Sequence, residues 1–232
     1  MYIKRNKMTN EQKVLIMSYP RSGNTWLRYS LEHITKIQTY ECGMKLCTPE
    51  GIKNPYKVQF GSGKPFIHKE HFPKDCDRFS PSKDKIILLL RNYKECIIRH
   101  GSLKQFDNTK FRKNQIEVYI NNLKYYNKWN NKIVIYYEDL ISNFEKCFSS
   151  VVNFLNLNKS DFKTFLDNYE NHKKQGIICY CYGKRYSSTK GNNEIFHSTK
   201  ANKNDLIECD NYISNKYPQI FESFLKRYKE GE

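Results

Sequence analysis

The chain has 232 residues, 38% of them hydrophobic and 15% aromatic, which is enough for one sizeable core and argues against disorder. Its formal net charge of +16 admits a nucleic acid, an anionic surface or a polyanionic small ligand as partner and selects none of them, because the lysines are scattered among asparagines without a dense basic tract. The longest apolar run, Ile86 to Leu90, is far too short to span a bilayer, so no membrane partner is expected.

Residues 1–12 read as a flexible lead-in. The run Tyr2-Ile3-Lys4-Arg5-Asn6-Lys7 has no apolar stretch of a secretory signal, so a cytoplasmic protein with reduced thiols is expected. Among the eight cysteines, Cys42/Cys47 and Cys179/Cys181 lack the paired CxxC spacing of a zinc site, and no metal is expected. Val14-Leu15-Ile16-Met17 has the continuous apolar character of a buried parallel strand, and Trp26, Leu27, Leu31 and Ile34 then recur at helical spacing. Gln38 to Lys64 lacks a period and reads as irregular, whereas Pro65 to His68 and Lys85 to Leu90 read as strands. Phe111 to Asn130 carries a helical stripe, and Ile133 to Tyr137 is a further strand. Amphipathic helices are expected over Phe144–Leu155, Asp161–Asn171 and Asp205–Tyr228, with Gly176 to Ser198 a polar loop. No Pro/Gly/Ser-rich linker divides the chain, so residues 1–232 are expected to form a single α/β domain with a mainly parallel central sheet flanked by helices.

The strand-loop-helix unit at Tyr19-Pro20-Arg21-Ser22-Gly23-Asn24-Thr25-Trp26 carries the first chemistry. A strand that ends in a glycine-bearing turn and opens a helix aims unpaired backbone N–H groups and the positive helix end at one spot, which suits a phosphate. Arg21 adds a permanent charge, Ser22, Asn24 and Thr25 add side-chain donors, and Gly23 permits a backbone conformation that a Cβ hinders. The triphosphate-binding pattern GxxxxGK[ST] is absent here. Gly61-Ser62-Gly63-Lys64 imitates its end, but Val58 stands where its first glycine belongs and Pro65 follows the lysine.

The same eight residues resemble the 5′-phosphosulfate loop of sulfotransferases that use 3′-phosphoadenosine-5′-phosphosulfate (PAPS). That resemblance implies a sulfonate donor held by Arg21, Ser22, Gly23, Asn24 and Thr25, with Trp26 helping to place the adenine. Ile67-His68-Lys69-Glu70-His71-Phe72-Pro73 resembles the Lys-x-His-x-Pro segment of the family, which implies His71 as general base and Lys69 as the cation that steadies the sulfonate. In an extended chain, residues two apart point the same way, so Lys69 and His71 share a face that excludes His68 and Glu70.

Leu88-Leu89-Leu90-Arg91-Asn92-Tyr93-Lys94-Glu95 resembles the segment whose arginine grips the donor's 3′-phosphate, and a guanidinium offers phosphate a planar fork of donors. Eight residues later the family has a serine where this chain has Arg99. Two readings of Arg99 stay open here, a phosphate contact or an ion pair with Glu95 one helical turn earlier. Tyr136-Tyr137-Glu138-Asp139 resembles a family segment that brings Tyr137 near the adenine. Thr189-Lys190-Gly191 loosely resembles a loop that closes over the 3′-phosphate, implying Lys190 and Gly191 as ligands although its arginine is missing.

In line with the resemblance, the expected products are a sulfated hydroxyl or amine and adenosine 3′,5′-bisphosphate (PAP). The acceptor is expected to be a small molecule or a glycan, with no obligatory nucleic acid. A nucleotide kinase and a basic polyanion-binding protein on a related fold remain the alternatives at this point.

Overall fold

A computed structural model describes residues 12–37, 39–41, 44–45, 67–180 and 197–231. Strand β1 is Val14–Ser18 and helix α1 is Asn24–Thr35; β2 (Tyr40–Glu41), β3 (Met44–Lys45) and β4 (Ile67–Glu70) follow. Next come β5 (Lys85–Leu90), α2 (Tyr93–His100), α3 (Leu103–Phe106), α4 (Thr109–Asn127) and β6 (Asn131–Tyr136). The described remainder is helical: α5 (Tyr137–Ser142), α6 (Phe144–Leu155), α7 (Lys159–Asp167), α8 (Tyr169–Tyr180), α9 (Lys203–Lys216) and the short α10 (Pro218–Ile220).

The strands form one sheet in the order β3-β2-β4-β1-β5-β6, parallel throughout except for the antiparallel edge pair β2–β3. This is the α/β architecture with a mainly parallel sheet that the strand-helix alternation implies. Side-chain parity along each strand divides the core in two. Leu15, Met17, Ile86, Leu88 and Leu90 face α2, α4 and α9, while Val14, Ile16, Ile67, Ile87, Leu89 and Ile135 face α1, α6 and α7. Both faces of β1 are thereby sealed, which is why its sequence is apolar without alternation.

Three sequence-level boundaries move. The stretch read as irregular contributes the small hairpin-like pair β2–β3. The helix expected over 161–171 breaks at Asn168, and α8 runs on to Tyr180, five residues into the expected loop, since one glycine costs a helix only about 1 kcal/mol. The helix expected over 205–228 ends at Lys216 because Pro218 disfavours helical geometry in Tyr217, whose φ is −137° and ψ 54°. A π-helical turn (Phe221–Leu225) and a 3-10 turn (Lys226–Tyr228) then carry the chain back onto the sheet.

Among the described residues Cys76, Cys96, Cys147 and Cys209 are free thiols, and no helix is long and apolar enough to cross a membrane.

Candidate active site

Strand order relative to sequence reverses at β1, whose neighbours are β4 on one side and β5 on the other. At such a switch point the loops leaving adjacent strand ends diverge and open a crevice above their carboxyl ends. Four segments meet there: residues 19–23 after β1, His71 after β4, Arg91 and Asn92 after β5, and Tyr137 and Glu138 after β6.

The loop after β1 closes through a hydrogen bond from Ser22 N to Tyr19 O at 3.3 Å. Arg21 and Gly23 both take left-handed backbone conformations, φ 72° and 89°. For arginine that geometry is strained, and Arg91 Nη1 steadies it by donating to Arg21 O at 3.2 Å. Gly23 is obligatory for a second reason, because a Cβ there meets Tyr137 Cδ2 at 2.3 Å. Gly23 starts α1 with no side chain capping it, so the helix offers the amides of Asn24 and Thr25 no internal acceptor and presents them, with the positive helix end, to the crevice.

Of the loop's side chains, Arg21 is exposed and Asn24 and Thr25 are half-buried at the crevice. Ser22 sits deeper than its neighbours. It is fully buried, and its hydroxyl lies 3.5 Å from Cys96 Sγ on α2, so it serves as a peg under the loop. Trp26 also sits deeper than an adenine platform implies. It is 6% exposed and stacks on Tyr29 at 5.4 Å, with Phe144, Phe165 and Tyr169 around it.

Lys69 and His71 do share a face. Lys69 is fully buried, and its Nζ hydrogen-bonds His71 Nε2. His71 Nδ1 lies 2.7 Å from the Ser18 carbonyl, and its own carbonyl accepts from Asn122 Nδ2 at 2.9 Å. A carbonyl only accepts, so Nδ1 carries the proton and Nε2 carries the lone pair. Glu70, on the opposite face, is buried against Arg78.

Across β1 from this pair lies Arg91, 4% exposed, with its guanidinium 4.3 Å above the Tyr137 ring. Its Nε is buried with no hydrogen-bond partner among the described residues. Arg91 Nη2 is 3.7 Å from Glu95, which is also 3.5 Å from Arg99 Nη1. Arg99 thus makes the helical ion pair, one of its two sequence-level readings. Glu95 accepts in addition from Ser198 N at 2.8 Å and so ties the turn at His197–Lys200 to the crevice. Lys190 and Gly191 lie outside the described residues.

Three participants carried no role at the sequence level: the Ser18 carbonyl, Glu95 as a shared partner of two arginines, and His100. The last packs edge-on to Tyr19 at 5.6 Å, and burial together with the Arg21 charge lowers its pKa. Only the i, i+4 spacing of Arg91, Glu95 and Arg99 signals any of this in advance; a backbone carbonyl has no side-chain signature.

The crevice thus gathers a helix start with an exposed arginine beside it, a histidine with its lone pair fixed beside a buried lysine, and a second arginine one strand away. Residues 11–205 match the family model of the sulfotransferase domain. The chain belongs to that family and is a sulfotransferase. The mouse sulfotransferase SULT7A1, solved complexed with PAP, has a similar fold: TM-score 0.60 and 15% identity, covering 94% of this chain and 88% of that one. The sulfotransferase domain of the Synechococcus PCC 7002 olefin synthase aligns with TM-score 0.41 and 14% identity over 68% of this chain and 78% of its own. No curated protein sequence matches the chain.

Proposed function

We propose that the enzyme moves a sulfonate from PAPS to a hydroxyl, or an amine, of a small molecule or glycan, releasing PAP. The observation that carries this reading is the pairing of Lys69 Nζ with His71 Nε2 while His71 Nδ1 is held by Ser18 O. It makes one imidazole nitrogen a fixed base beside a cation, next to an anion cradle.

In this reading Arg21 and the amides of Asn24 and Thr25 receive the 5′-phosphate, and Arg91 receives the 3′-phosphate. Tyr137 supports the Arg91 guanidinium from below, a contact that favours the cation by its ring face. Arg99, anchored at the rim by Glu95 at 3.5 Å, adds a guanidinium within the same charge network. His71 Nε2 takes the acceptor's proton as the acceptor oxygen bonds the sulfur, and the Ser18 carbonyl stabilises the imidazolium formed. Lys69 turns from His71 to the sulfonate oxygens. As the bond from sulfur to the phosphate oxygen breaks, Arg21 and the start of α1 stabilise the charge left on that oxygen.

Purified protein is expected to transfer radiolabelled sulfonate from PAPS to a member of a hydroxyl and amine acceptor library, and to bind PAP in isothermal titration calorimetry. Absence of PAP binding would refute the donor assignment.

A further inference from the structure

The family model ends at residue 205, yet the chain beyond it closes on the turn that carries Arg91. Glu138 is the junction. Its Oε1 accepts from Asn92 N at 3.0 Å, and its Oε2 accepts from Tyr228 OH at 2.7 Å. The parallel register puts Leu90 opposite Tyr136, so the two residues that follow each strand, Arg91 with Asn92 and Tyr137 with Glu138, face each other above the sheet. The Arg91 backbone is consequently held on both sides, its carbonyl by Tyr119 OH at 2.8 Å and the next amide by Glu138.

Tyr228 is itself fixed. It is 7% exposed, its carbonyl accepts from the buried Lys94 Nζ at 2.5 Å, and Lys94 is paired with Asp210 and Glu230 at 3.0 Å each. Arg227, one residue earlier, makes a bidentate bond to Asp139 at 2.9 and 2.6 Å. Burial first, and the Glu138 carboxylate second, raise the Tyr228 pKa, which keeps the phenol a donor.

We propose that Glu138 and Tyr228 are positioning residues that hold the Arg91–Asn92 turn for a 3′-phosphate, so that the C-terminal segment sets the preference for nucleotides bearing that phosphate. This rests on the reading of Arg91 as the 3′-phosphate ligand. Neither side chain touches the ligand in this account; both act through the Asn92 amide. Without the phenol, the Glu138 carboxylate loses one of its two donors and the turn loses its outer support.

The test compares PAP with adenosine 5′-monophosphate, which lacks the 3′-phosphate, by calorimetry on the full chain, with thermal melts alongside. Tyr228→Phe is expected to weaken PAP about tenfold while leaving the monophosphate within about twofold, the size of one lost hydrogen bond to a charged group. Glu138→Gln keeps an acceptor for Asn92 N and is expected to lose about threefold in the same sense, which preserves the test if Tyr228→Phe folds poorly. In an Arg91→Ala background, Tyr228→Phe should change the ratio of the two affinities no further.

Equal losses for both nucleotides would mean a merely structural role and overturn the proposal, as would an unchanged ratio in both single variants or an additive loss in the double variant. A wild-type protein with no preference for PAP would instead sink the 3′-phosphate reading of Arg91, and the positioning role with it.

Discussion

The two sides of the crevice are built differently. On the proposed transfer side, Lys69 and His71 are two residues apart at one strand end, and His71 is held by the Ser18 carbonyl of the neighbouring strand and by Asn122 on α4, which donates to the His71 carbonyl. On the side proposed for the 3′-phosphate, Arg91 is set by Arg21, Glu95, Tyr119 and Tyr137, and through Glu138 by Tyr228, from elements spread over more than half the chain. A base has to present one lone pair in one direction, and strand parity with one backbone bond at each end of the histidine achieves that. A guanidinium fork that meets a phosphate has to be held in orientation as well as position, which takes many supports.

The largest expected effect separates the two sides. His71→Ala is expected to lower turnover by about 10²- to 10⁴-fold, the usual scale for loss of a general base, while PAP affinity stays within about twofold. A parallel collapse of PAP affinity would mean that the transfer side and the donor side are not separable.

Gly23→Ala strikes where they meet. A Cβ forces the Tyr137 ring away from its place under Arg91 and strains a residue at φ 89°, which together cost roughly 2–4 kcal/mol. Urea unfolding should show the loss of stability, and PAP affinity should fall because Arg91 loses its platform. Wild-type affinity in this variant would show that the platform is dispensable.

The smallest effect lies behind α1, remote from both sides. His33 and His172 meet edge-on with ring centroids 4.8 Å apart, beside Tyr29 and Phe165, and Tyr29 OH lies 2.8 Å from His172 Nδ1. Burial chiefly, and the neighbouring His172, lower the His33 pKa to about 3, while burial and Lys36 lower that of His172. For His33 the unfolded chain takes up the proton near pH 6.5 and the folded chain only near pH 3. The stability contribution is complete above 6.5 and is lost as pH falls. For His33 the loss at pH 5 is about 2 kcal/mol.

Glu32 works in the opposite sense. Its pKa is raised to about 7 by burial, against the lowering bonds from Thr39 and the Arg28 charge, so its contribution is present below 4.5 and fades as pH rises through 7. Urea melts at pH 7.5 and pH 5 isolate the histidine part: wild type should lose about 2 kcal/mol more than His33→Gln on acidification. Parallel losses would place the titrating group elsewhere.

What could be read without the fold follows from contact range. The apolar runs of β1 and β5, the loop at 19–26 and the Lys69/His71 parity are local patterns, set by strand burial, helix starts and the two-residue repeat of extended chain, and the structure brings them to one crevice. Helical spacing allows the ion pair of Arg99 with Glu95, and the packing of α2 forms it.

Sequence by itself determined the α/β sheet and the strand-loop-helix turn at 19–26, because each is coded by residues within a few positions of one another. Tertiary structure alone decided that Ser22 turns inward to Cys96, that Trp26 is sealed among aromatic rings, and that Tyr228 reaches Glu138 across 90 residues. Those outcomes depend on which surfaces meet after the sheet closes and α2, α4 and α9 pack onto it, and no local pattern carries that information.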